Sequence, residues 1–199
     1  MNTDDFNDVT GVILAGGRST RMGRDKAMLR IGGEDGLTLF ERVLEMMQTL
    51  FSSIIIAGDR PDLCRRGLQC YPDRYPGSAL GGLYTGLSEA KTETIFVSAC
   101  DIAFPDVNIA RLILAERRDC DVVVARTPEG LEPLFALYRK SCLEPMRQML
   151  ERRQYRIYDF FPEVRVRYLD VGELPPNWQQ ALININTPED CQRIEEGSL

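Results

Sequence analysis

Histidine is absent from this chain of 199 residues. That absence removes every catalytic triad and general base built on imidazole. It also takes the commonest nitrogen ligand from any zinc site. Six cysteines remain (Cys64, Cys70, Cys100, Cys120, Cys142, Cys191), but no two form a CxxC pair. They read as separate buried or surface thiols rather than as metal ligands. No apolar run approaches the roughly 20 residues that cross a bilayer. The segment Met1 to Asp8 is polar and acidic, unlike a secretory signal, so a cytoplasmic protein without membrane association is expected. A basic surface is missing too. The formal net charge is −6, whereas nucleic-acid binding needs a basic stripe to meet phosphates.

What is present suits one globular domain spanning 1–199. Hydrophobic residues make up 44% and charged residues 27%, a folded rather than disordered balance, in a chain long enough to bury a sizeable core. No repeat, low-complexity stretch or linker divides it. Residues 9–14 (VTGVIL) are apolar and partly β-branched and run into Ala15-Gly16-Gly17, the pattern of a buried strand feeding a loop. Thr38 and Glu41 have capping-box spacing, and Phe40, Val43, Leu44, Met47 and Leu50 follow on a helical period. Further strands are expected at 53–57, 94–99, 121–125, 134–138 and 164–169, with helices at 83–90 and 105–117. Thr187-Pro188-Glu189-Asp190 reads as the capped start of a last helix. Strands alternating with helices predict an α/β fold of three layers, a mostly parallel central sheet covered on both faces.

The segment after the first strand carries the chemistry. Gly16 and Gly17 let the backbone approach a ligand and expose its N–H groups, and Arg18, Arg21 and Lys26 add positive charge beside them. Together they suit a polyphosphate. The segment is not a P-loop, because Gly23 is followed by Arg24 and Asp25 rather than by a lysine, and the GxGxxG dinucleotide fingerprint is absent. Asp101 ends the apolar strand at 94–99, at the edge where parallel sheets build sites. It suits either a Mg²⁺ ligand or the cap of the next helix.

The pattern Leu14-Ala15-Gly16-Gly17-x-Ser19-x-Arg21-Met22-Gly23-x-x-Lys26 resembles that of nucleotidyltransferases, and within them the MobA family of molybdenum cofactor guanylyltransferases. The resemblance covers nearly the whole chain. It includes Tyr75-Pro76-Gly77 with Gly81-Gly82, Ala99-Cys100-Asp101, Glu132-Pro133-Leu134-Phe135-Ala136 and Asn184-Ile185-Asn186-Thr187-Pro188. One departure is that the family's PGPLAG segment reads one residue longer here, as Pro76-Gly77-Ser78-Ala79-Leu80-Gly81-Gly82.

The resemblance implies a Rossmann-like nucleotidyltransferase fold. It implies transfer of GMP from GTP to molybdenum-molybdopterin, with Mg²⁺ on Asp101 and with Arg21, Lys26 and Asp101 as the catalytic set. Leu14, Ala15, Gly16, Gly17, Lys26, Asp73 and Asp101 would line the nucleotide site, and Glu132, Asn184 and Asn186 the acceptor side. Residues 1–100 would mainly hold the nucleotide and 101–199 the acceptor. Cofactor-delivering proteins and apo-molybdoenzymes are the implied partners. On the residues alone, Asn184 and Asn186 suit either one face of a strand or the cap of the next helix. Arg152, Arg153, Arg156, Arg165 and Arg167, with Tyr75, read either as a landing surface for an anionic cofactor or as ordinary solvated surface. Cytidylyl transfer, a sugar or alcohol phosphate acceptor, and a non-catalytic nucleotide-binding role stand as alternatives.

Overall fold

A seven-stranded sheet in the order β3-β2-β1-β4-β6-β5-β7 organises the computed structural model. The model describes residues 6–16, 25–33, 35–64, 67–185, 190 and 193. The strands are β1 (Val9–Leu14), β2 (Ile54–Ala57), β3 (Gln69–Tyr71), β4 (Thr94–Ala99), β5 (Val122–Thr127), β6 (Gly130–Arg139) and β7 (Val166–Asp170). β1 pairs in parallel with β2 and β4, β2 with β3, and β5 with β7. Only β6 runs against its neighbours β4 and β5. The sheet is therefore mostly parallel, as expected.

The strands bury both faces, so their inward residues alternate between two cores. On one face Val9, Ile13, Phe96, Val123 and Phe135 meet α1 (Leu39–Leu50), α4 (Val107–Ala115) and α6 (Trp178–Ala181). Phe96 lies between the rings of Phe51, 5.8 Å away, and Phe135, 5.0 Å away. On the other face Val12, Leu14, Ile95, Val97, Val122 and Val124 meet α3 (Ala79–Glu89), α5 (Leu143–Glu151) and the 3-10 segment Ile157–Glu163. Helices on both faces make the three layers.

Local signals explain the ends of these elements. Thr38 and Glu41 form the reciprocal capping box at the start of α1, an arrangement worth about 1 kcal/mol. Ser78 caps α3 by accepting Gly81 N–H at 3.1 Å, so α3 starts earlier than its apolar period suggests, and the longer PGSALGG segment ends in a capped helix. Asp106 caps α4, accepting the Asn108 and Ile109 N–H groups. That leaves Asp101 out of any helix cap.

The expectation for the cysteines is corrected at one pair. Cys64, at the end of α2 (Pro61–Cys64), and Cys70, on β3, lie with Cα atoms 5.7 Å apart and form a disulfide. Six positions apart in sequence, they are not a CxxC pair, so only the packing of α2 against β3 reveals it. Cys100, Cys120 and Cys142 are free thiols. The start of the last helix expected from Thr187 lies outside the described residues, while Asp190 and Arg193 are helical. Among those described, no helix is long and apolar enough to cross a membrane.

Candidate active site

The ends of β1 and β4 bring the nucleotide-loop residues and Asp101 together. Leu14 pairs with Ala99 across the two strands, and Cys100 N–H donates to Leu14 O at 3.1 Å. Asp101 is the next residue. At this edge a cleft of about 120 Å³ is lined by Leu14, Gly16, Asp73, Ser78, Ala79, Gly82, Ala99, Cys100, Asp101 and Leu134. Its position, at the carboxyl ends of parallel strands, is where open α/β sheets bind ligands.

Asp73 is wedged between two glycines. A β-carbon at Gly16 would lie 2.7 Å from Asp73 Oδ2, and one at Gly82 would lie 3.5 Å from Oδ1. Any side chain at position 16 would thus displace the carboxyl. Arg74 N–H donates to Thr85 Oγ1 on α3 at 2.9 Å, fixing the chain beside Asp73. Oδ1 of Asp73 is buried without a hydrogen-bond partner among the described residues. A desolvated acceptor left bare is costly, so it marks a place for a donor. Burial raises the Asp73 carboxyl above the usual aspartate range.

Lys26 enters from a short 3-10 turn, Lys26–Met28, whose first N–H groups are capped by Asp25. Its Nζ stands 3.9 Å from Asp101 Oδ2, the two side chains being 19% and 25% exposed. Burial raises the Asp101 carboxyl, and the Lys26 ammonium opposes that shift without cancelling it. Among the described residues no group of three or more Cys, Asp or Glu could hold a metal. Mg²⁺ does not require one, because it takes one or two carboxylates and completes its octahedron with phosphate and water oxygens. Asp101, a lone desolvated carboxyl at the strand end, fits that donor set.

The acceptor-side residues are only partly assembled. Ala103 N–H donates to Ile183 O at 3.1 Å and Ile185 N–H to Asp101 O at 3.0 Å, with Ile102 and Asn184 forming an isolated antiparallel bridge. The chain around Asn184 is thereby tied to the backbone of Asp101, as a bridge rather than a strand. Glu132 lies near the start of β6, two residues before the cleft residue Leu134. Burial, followed by the charge of Glu129, raises its carboxyl to about 7. Gly17, Arg21 and Asn186 lie outside the described residues. The arginines separate into two sets. Arg165 pairs with Asp121, and Arg167 with Glu116 and Glu173, whereas Arg156 stacks over the Tyr158 ring.

Sequence reasoning passed over Arg60. It lies in Gly58-Asp59-Arg60-Pro61, which follows a strand and reads either as a ribose contact or as a surface turn, but it ion-pairs with Asp25 beside Lys26. Only the separation of 35 residues in sequence hides that contact.

Residues 11–166 match the MobA-like NTP transferase domain. A probable molybdenum cofactor guanylyltransferase of Pelotomaculum thermopropionicum is 37% identical over 185 residues, covering 91% of this chain and 89% of that protein. A molybdenum cofactor guanylyltransferase of Vibrio campbellii is 32% identical over 191 residues, covering 92% and 93%. In fold, the molybdopterin-guanine dinucleotide biosynthesis protein A of Archaeoglobus fulgidus superposes with a TM-score of 0.80, covering 95% of this chain and 98% of that one, at 23% identity. Nucleotidyltransferases of this kind generally use a divalent metal. With these matches over most of its length, the chain belongs to the MobA-like NTP transferase family and is a nucleotidyltransferase.

Proposed function

We propose that the protein transfers GMP from GTP to the terminal phosphate of molybdenum-loaded molybdopterin, releasing pyrophosphate and forming the guanine dinucleotide cofactor. The observation that carries this reading is the half-buried Asp73 carboxyl between Gly16 and Gly82, whose Oδ1 is buried without a partner among the described residues. Guanine presents N1–H and N2–H₂ donors side by side, and a desolvated carboxyl accepts both. Cytosine and adenine present one donor next to an acceptor on that edge and leave a carboxyl oxygen unpaired. Sites built around such a bond discriminate by up to ~10⁴-fold. The curated relatives named above carry the same activity in their names.

In this reading the backbone at Leu14, Ala15, Gly16 and Gly17 lines the nucleotide, and Arg21 and Lys26 face its phosphates. An oxygen of the acceptor phosphate attacks the α-phosphorus. The bond from that phosphorus to the bridging oxygen breaks, and pyrophosphate leaves. Lys26 neutralises charge as it moves onto the leaving group. The attacking phosphate is already ionised near neutral pH, so no strong base is needed, in keeping with a chain without histidine. Asp101 would hold Mg²⁺, which when bound offsets the negative charge of the nucleotide phosphates. Glu132, Asn184 and Asn186 form the acceptor side, so residues 1–100 mainly serve the nucleotide and 101–199 the acceptor. Partners are apo-molybdoenzymes and the proteins that deliver the cofactor, in the cytoplasm.

The test is transfer of α-labelled GTP, CTP or ATP to molybdenum-loaded pterin with Mg²⁺. Label is expected to move from GTP and to vanish in Asp101→Asn while the circular dichroism spectrum is retained. Label moving from CTP would overturn the assignment of Asp73. No transfer from any nucleotide, with a control enzyme active on the same pterin, would overturn the acceptor.

A further inference from the structure

Arg60 lies outside the cleft, just after β2, yet its side chain is only 14% exposed. Two carboxylates hold its guanidinium. Nε and Nη2 donate to Asp62 at 3.0 and 2.7 Å. Nη2 also stands 2.7 Å from Asp25 Oδ2, and Nη1 donates to Asp25 Oδ1 at 3.3 Å. The same Oδ1 accepts Ala27 N–H at 3.1 Å, at the start of the turn that carries Lys26. The near end of the phosphate loop rests on the same stretch of chain. Ala15 N–H donates to Ala57 O at 2.9 Å. Gly58, at φ +137, sits so close that a β-carbon there would lie 2.6 Å from Gly16 N. Residues 57–60 therefore grip the loop on both sides, at Ala15-Gly16 through backbone and at Asp25 through Arg60.

We propose that Arg60 is a positioning residue which, through Asp25, sets where Lys26 presents its ammonium beside Asp101. A lysine head is a point charge on a flexible stem, so its aim depends on the backbone from which it starts. The Asp25 cap ties the turn to itself. Ala27 packs the turn into the core, and the Arg60 pair adds a charged link from the turn to the chain just after β2. The Asp25 and Asp62 side chains are 46% and 52% exposed, which weakens each pair taken alone, but the guanidinium between them is largely covered and held by both at once, which narrows its geometry. Misplacing a group by about 1 Å near the reacting atoms can cost ~10²-fold in rate. The inference rests on Lys26 facing the nucleotide phosphates, as proposed above.

The experiment is a double-mutant cycle on kcat/KM for GTP, with Arg60→Gln made in the wild-type and in the Lys26→Met backgrounds. A loss of about tenfold or more is expected in the first, and less than about twofold in the second, because a residue that acts only through Lys26 has nothing left to position. Asp25→Asn keeps a good capping side chain but loses the charge that Arg60 holds. It should reproduce the Arg60→Gln loss, with no further loss when the two are combined, and Arg60→Lys should recover part of the rate. Equal losses in both Lys26 backgrounds, or undiminished transfer by Arg60→Gln, would overturn the proposal. If Arg60→Gln does not fold by circular dichroism, Asp25→Asn carries the same cycle. A wild-type protein that neither binds GTP nor releases pyrophosphate from it would instead overturn the functional reading beneath the inference.

Discussion

Asp73 spends stability on a bare acceptor. Its Oδ1 is buried without a partner among the described residues, and burial raises its carboxyl, so the folded chain bears a desolvation cost that a bound donor would relieve. This sets a residue-scale prediction. Asp73→Asn should lower kcat/KM for GTP by ~10²-fold or more, because one acceptor becomes a donor facing guanine's donors. The same change should leave the thermal midpoint unchanged or raised, since it removes a buried charge. A drop in both activity and midpoint would make Asp73 a structural residue. Lys26 and Asp101 differ from it in having each other at 3.9 Å.

At the scale of elements, Asp121 joins three parts of the second half of the chain. It precedes β5. Its Oδ2 accepts Arg165 N–H at 2.9 Å beside β7, and its Oδ1 accepts the Ser141 hydroxyl at 2.7 Å before α5. The hydrogen bond from Arg165 is the first reason its carboxyl is held down at about 2. A carboxyl depressed by folding stabilises the fold above its ordinary pKa of 3.8, and that contribution is lost as pH falls toward 2. Asp121→Ala is expected to cost about 2 kcal/mol at pH 7 in urea unfolding. Most of that belongs to the backbone and Ser141 bonds, because the Arg165 guanidinium is exposed and screened. The difference from wild type should narrow as pH falls from 3.8 toward 2. A difference that stays constant would assign the effect to packing.

At the scale of the whole molecule, pH acts in the opposite direction through Glu132. A carboxyl raised by burial to about 7 favours the fold while protonated. Its contribution is complete below the ordinary value of 4.5 and is lost as pH rises through about 7. The wild-type midpoint should therefore fall over that interval, and Glu132→Gln should flatten the fall. Parallel midpoint curves for the two proteins between pH 4.5 and 7.5 would show that Glu132 titrates as an exposed group.

Local composition was enough for much of this protein. Strands β1 and β4 end where their apolar runs end, the Thr38 box starts α1, and Asp101 falls at a strand terminus, because these features depend on neighbours a few residues apart. Other elements were not legible. β3 is only three residues long. α5, rich in charge on its outer face, carries no start signal, since its N-cap residue Cys142 makes no side-chain capping bond. Contacts between distant segments were decided by tertiary structure alone. The crossover connections lay β2 beside β1, and so bring Arg60 onto Asp25 and Asp73 between Gly16 and Gly82. They also bring Asn184 to Asp101, and no periodicity in the sequence encodes such proximity. Which residues could do the chemistry was thus written locally, whereas which of them hold one another in place was settled by the sheet order.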